Sequence, residues 1–197
     1  MEVTRTQLGI IVSLLVSMAC LILAPAVLPE GYSVVANTVS EAAAQTTEGA
    51  WLARTGLFLF GLGAFWLSVS KRSWAVSARF LHGTFGVLMI ATAVYSHRPV
   101  LGGGVFDQVE DTLHSIAATA MGFAFALGVL VVGWRRVSGW KPIDFLALVA
   151  TVAVPIGMTM TTGYAGLWQR AMFGIAYLWY LVEAVDTHRS VALDLFG

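Results

Sequence analysis

His114 and Asp111 stand three residues apart, a spacing that puts two side chains on one helix face. An imidazole beside a carboxylate is the equipment of a general base and the group that orients it. Glu41 is a second carboxylate in a polar stretch, so Glu41, Asp111 and His114 are the candidate catalytic residues. Arg54 and Arg170 add guanidinium groups, which suit carboxylate and phosphate. With Asn37, Ser40 and Gln169 they make up the candidate ligand-binding set. The chemistry these types suggest is capture of a lipid or amphiphile with an anionic headgroup, with hydrolysis or modification if His114 acts as base.

Each residue also has a structural reading. Thr38-Val-Ser-Glu41 fits a capping box, which satisfies free N–H groups at a helix start. Asp107, Glu110 and Asp111 complement the positive end of a helix dipole. Arg54 and Arg170 are placed to snorkel to headgroups. A metal centre is a weaker alternative. Asp111 and His114 share a face and Glu41 or His97 completes a zinc-like set, but no HExxH or CxxC pattern is present and no metal ligand is assigned. Haem is a further alternative, with His97 and His114 at one depth and His82 and His188 at the other. Retinal is excluded, because Lys71 and Lys141 both fall in loops. No phosphate loop or dinucleotide fingerprint appears, and the cofactor is left unassigned.

The elements that must position these residues are written in the composition. The chain has 197 residues, 58% hydrophobic and 11% charged, with a mean hydropathy of +0.80. Soluble domains carry about 25% charged residues, so this is an integral membrane protein. Its net charge of zero argues against nucleic acid as a partner. The lone cysteine, Cys20, excludes a disulfide frame. A span needs about 20 apolar residues, and six runs qualify: 8–28, 51–69, 75–95, 113–134, 143–160 and 167–184. The first has a weak positive flank and is expected to be a retained helix rather than a signal peptide. No period-two pattern appears, which excludes a barrel.

Basic residues gather on the cytoplasmic side of membrane proteins. With the N-terminus inside, the inner segments hold Arg5, Lys71, Arg72, Arg79, Arg135, Arg136, Lys141 and Arg189, and the outer ones only Arg54, Arg98 and Arg170, out of 11 in all. Both termini are therefore expected inside. Segment 29–50 then lies over the outer face, read as a short amphipathic helix with Asn37, Ser40, Glu41 and Gln45 on its polar stripe. In the fourth run His114, Ala118, Gly122 and Ala126 recur every four residues, and this stripe is expected to face the bundle. Pro155 is expected to kink the fifth run.

The chain resembles a group of prokaryotic six-helix membrane proteins known only as a domain of unknown function, number nine-nine-eight. The resemblance rests on Asn37-Thr-Val-Ser40-Glu41 before a Gly-rich second span, on His114-Ser115 opening the fourth, and on Gly166-Leu-Trp-Gln169-Arg170 opening the sixth. It implies a compact six-helix fold with an outer polar cluster, and no activity. A remoter similarity, to membrane hydrolases built on Ser, Asp and three His around zinc, departs at the missing HxxxH pair and at six spans instead of seven.

The expectation is an all-α integral membrane bundle, one six-helix domain over residues 1–197, in a prokaryotic cytoplasmic membrane. An outer pocket of Ser40, Glu41, Arg54, Asp111, His114 and Arg170 would take the amphiphile, and membrane lipid is the expected partner. The rival is a structural or partner-binding subunit with no catalytic site. A small transporter is a third reading, and a second copy of the chain is a further candidate partner.

Overall fold

Each of the six apolar runs becomes one long helix in the computed structural model, which describes residues 4–100 and 105–186, apart from the side chain of Thr162. They are α1 Arg5–Leu23, α3 Ala50–Ser70, α4 Val76–Val94, α5 Gln108–Arg135, α6 Pro142–Met160 and α7 Ala165–Val185. A four-residue helix, α2 Val39–Ala42, sits between the first two. His188 and Arg189, which enter the haem and charge arguments, lie outside the described residues. Among the described residues there is no strand. Five helices are long and apolar enough to cross a membrane. The sixth, α7, has 21 residues, but Gln169, Arg170 and Glu183 lower its hydropathy. α6 runs as one helix through Pro155.

Consecutive long helices pack side by side, and α7 closes the ring against α1. The centre is aromatic. Phe60, Trp179 and Tyr180 are fully buried, and Phe60 stacks on Tyr177 with centroids 4.0 Å apart. His82 packs against both Trp74 and Trp179, at 4.7 and 4.6 Å, with its Nδ1 2.9 Å from the Tyr180 hydroxyl. These partners are aromatic side chains packed against one another, so the ring is a core histidine in this fold.

The small-residue stripe on α5 does not face the bundle as expected. His114 points inward, but the buried residues that follow it are Ala117, Ala124, Phe125, Gly128, Val129, Val132 and Gly133. Gly122 faces outward, and a Cβ there would meet nothing within 4 Å. A strict four-residue step drifts about 40° per repeat on a helix of 3.6 residues per turn, so the row winds off the inward face. The close approach occurs at Gly128, where a Cβ would lie 2.7 Å from His82 Nε2.

Candidate functional site

The bundle has two polar ends. One carries His114 and the start of α5. The other carries Glu183 and the end of α7.

At the His114 end, residues 28–49 cross from α1 to α3 as a strap. The expected amphipathic helix shrinks to the single turn of α2, because loop carbonyls and side chains elsewhere satisfy the backbone. The Thr38–Glu41 capping box forms as read from the sequence. Asn37 precedes the cap, and its Nδ2 donates to Glu41 Oε2 at 3.1 Å. Gln45 lies beyond the helix and is buried. It donates to the carbonyls of Ser96 and Asp107 at 2.9 and 3.0 Å and accepts from Asp107 N–H at 2.8 Å. Ser40 is half-buried on the α2 turn.

α7 grips this strap. Gln169 Oε1 accepts from Val39 N–H. Arg170 donates to the carbonyls of Val34 and Asn37 at 2.9 and 2.7 Å and to the Tyr32 hydroxyl. Gly166 permits the approach, since a Cβ there would lie 2.3 Å from the Asn37 carbonyl. Burial pushes the Tyr32 phenol above its usual pKa, with Arg170 pulling the other way. From α3, Arg54 donates to the carbonyls of Ala43 and Ala44 at 3.0 and 2.9 Å. Both guanidinium groups therefore hold protein backbone where the sequence suggested a bound anion.

The α4–α5 connection forms a second group at this end. Glu110 accepts from Ser96 N–H at 2.6 Å, and Asp111 Oδ1 accepts from Arg98 N–H at 2.8 Å. His114 Nδ1 lies 2.8 Å from the Tyr95 carbonyl, and the His97 ring sits edge-on to it at 5.6 Å. The structure thus brings Asp111, His97 and His114 together. Glu41, Asn37, Gln169 and Arg170 form a separate set. Among the described residues no hydrogen bond or ion pair joins Glu41 to Asp111 or His114, and no three His, Cys, Asp or Glu side chains form a metal cage.

On the exposed side of α5, a shallow, open groove of about 560 Å³ is lined by residues of this one helix, from Asp111, Thr112 and Ser115 to Ile116, Thr119 and Phe123. The Thr112 and Ser115 hydroxyls on this face donate to the Gln108 and Asp111 carbonyls of the same helix, at 2.7 and 2.9 Å.

Of the residues at the Glu183 end, only the bases Lys71, Arg136 and Lys141 entered the sequence reading, as charges. Asp144 and Glu183 are 0% and 1% exposed. Arg136 bridges them, with its NH2 2.6 Å from Glu183 Oε1. Lys141 reaches the same Glu183 oxygen at 2.8 Å and also pairs with Asp186. Two indoles complete the shell. Trp179 donates to Asp144 at 2.8 Å and Trp74 to Glu183 at 3.2 Å. Lys71 donates to the carbonyls of Glu183 and Asp186. Burial lowers its pKa, and the Glu183 and Asp186 carboxylates oppose that shift. The signal that could have found this cluster is Glu183 itself, an acid inside an apolar run, since such a residue is costly unless paired.

One family model spans residues 10–186, nearly the whole described chain. The chain belongs to DUF998, a family of proteins of unknown function. No curated protein and no solved structure shows significant similarity to it. The family thus covers all six long helices, so both polar ends lie within it. Family membership and the run of apolar helices make this a multi-span, all-helical membrane protein.

Proposed function

We propose that this is a six-span protein of a prokaryotic cytoplasmic membrane, with both termini inside, that binds a lipid or other amphiphile at its His114 end. The orientation is supported by where the basic residues sit. Arg5, Lys71, Arg72, Arg79, Arg135, Arg136 and Lys141 belong to the Glu183 end, against Arg54, Arg98 and Arg170 at the other. Val105 and Val137 are each 97% exposed, at opposite ends. In a Cys20→Ala background, Val137→Cys should be labelled only from the cytoplasmic side and Val105→Cys only from outside. The reverse pattern would invert the topology.

The observation that carries the binding reading is the α5 groove. It is polar at Asp111 and apolar at Phe123, the order in which an amphiphile enters a leaflet. Arg54 and Arg170 are engaged with carbonyl groups, so headgroup selection passes to the Asp111 carboxylate, to Thr119 and, as acceptors only, to the hydroxyl oxygens of Thr112 and Ser115, whose protons go to the Gln108 and Asp111 carbonyls of their own helix. That lining favours a headgroup bearing ammonium or hydroxyl groups over a simple anion. A specific observation also favours the rival scaffold reading: Gln45, Arg54, Glu110, Asp111 and Arg170 all bind loop backbone. Native mass spectrometry of purified Thr119→Phe, which fills the groove from an exposed position, tests between the two. Loss of a co-purified lipid with unchanged melting supports the groove. An unchanged lipid complement overturns it and leaves the scaffold.

A further inference from the structure

His97 stands in the connection between α4 and α5 with one ring nitrogen committed. A backbone carbonyl can only accept a hydrogen bond, so the nitrogen facing it carries the proton. His97 Nδ1 faces the Arg98 carbonyl at 2.8 Å, so the neutral ring presents a lone pair at Nε2. That atom lies 3.9 Å from Asp111 Oδ1. With the ring neutral, two electron-rich atoms face each other. With the ring protonated, an N–H and a positive charge face the carboxylate. One proton therefore turns repulsion into an ion pair. Imidazole is the side chain that makes this change between about pH 5 and 8.

The groups around the ring single out this pair. On α5, Glu110 is engaged with the Ser96 N–H, and the Asp107 carboxylate caps the helix through the Val109 and Glu110 N–H groups. His114 lies edge-on at 5.6 Å, but it is buried with its Nδ1 on the Tyr95 carbonyl. His97 is half-buried, so it is the ring that solvent protons reach. On the connection, the exposed Arg98 gives its N–H to Asp111 Oδ1, and residues 101–104 carry no ionisable side chain. The strap meets His97 through neutral Gln45, whose N–H donates to the His97 carbonyl at 2.8 Å.

Asp111 also lines the α5 groove. We propose that His97 is a proton-operated switch on the headgroup end of that groove. Neutral His97 leaves the Asp111 carboxylate to an ammonium headgroup. Protonated His97 pairs with Asp111 and competes with that headgroup for it. A carboxylate shares its charge over both oxygens, so an ion pair at Oδ1 weakens its hold on any second cation. Acidification on the His114 side thus loosens the amphiphile. The inference rests on the binding reading of the groove and adds its regulation.

The test uses the full-length chain in neutral maltoside micelles. The probe is a spin-labelled alkyl trimethylammonium amphiphile, whose own charge does not change with pH. Binding is compared at about pH 5.5 and 8, on either side of the imidazole range. It should be about two- to fivefold weaker at the lower pH, the size of a partly exposed ion pair. His97→Gln, which cannot take the proton, should bind equally at both pH values and as tightly as the wild type at the higher one. Asp111→Asn should bind weakly at both. Nitrogen resonance of the labelled His97 ring should show the Nδ1–H tautomer at the higher pH and both protons at the lower. Where Asp111→Asn fails to fold, His97→Gln decides. No binding at the higher pH, or binding unchanged in Thr119→Phe, overturns the groove reading and this inference with it. Binding that is blocked by Thr119→Phe yet equal at both pH values overturns the switch alone. So does a pH dependence that persists in His97→Gln, or a His97 ring that stays neutral at the lower pH.

Discussion

The two ends of the bundle meet the same demand, that buried polar groups be paired, with different chemistry. At the His114 end the partners are side chain and backbone. Arg54, Arg170, Gln45, Glu110 and Asp111 each hold a carbonyl or N–H group of an irregular segment. At the Glu183 end the partners are mainly charged side chains on helix ends: Arg136 and Lys141 against Asp144, Glu183 and Asp186. The difference follows from the connections. Twenty-odd residues of strap present many carbonyls that no helix satisfies, and guanidinium and amide groups can bridge several at once. The tight turn joining α5 to α6 presents few, so the helix ends lie close and their charges meet. The comparison teaches that an arginine at the His114 end is a loop clamp before it is a ligand site.

The largest effect should come from breaking the charged end. Glu183→Ala leaves Arg136 and Lys141 facing each other without their shared partner, and removing one member of a buried ion network costs about 3–5 kcal/mol. Thermal melting of the purified protein should fall steeply. A small shift would mean that this end is wet, and the contrast between the ends would weaken.

Arg170→Ala should cost less, about 1–3 kcal/mol, because it leaves neutral carbonyls that water can reach. Its signature is local. Hydrogen exchange should rise across the strap and stay unchanged around Glu183. Exchange rising at both ends would show that the two are coupled through the bundle.

The smallest effect lies between the ends. Gly122→Leu points into open space and should change stability by no more than about 0.5 kcal/mol. Gly128→Ala makes the internal control, since its methyl group meets the His82 ring and overpacking costs about 1–3 kcal/mol. Equal melting temperatures for the two variants would refute the inward face assigned to α5.

Much of the fold was legible in the sequence because span length and hydropathy are local properties. The six runs mark the six long helices, and the Thr38–Glu41 box caps a helix as read. The inward placement of His114 also held. The stripe below it did not, because repetition every four residues resembles a packing face without following the true helical period. The candidate site was legible only in part. Asp111 and His114 stay together because they share a helix, while Glu41 binds the strap and α7 because chain crossings, not residue type, decide its neighbours.

By itself the sequence determined the solvent in which this protein folds and where its six long helices run. It also fixed the segregation of basic residues between the two ends. These depend on sums over neighbouring residues. The tertiary structure alone decided that Arg54 and Arg170 face carbonyl groups, that Asp144 and Glu183 share Arg136, and that His97 meets His114. Those pairings join residues on different elements, and a buried polar group takes the partner that packing brings within about 3 Å.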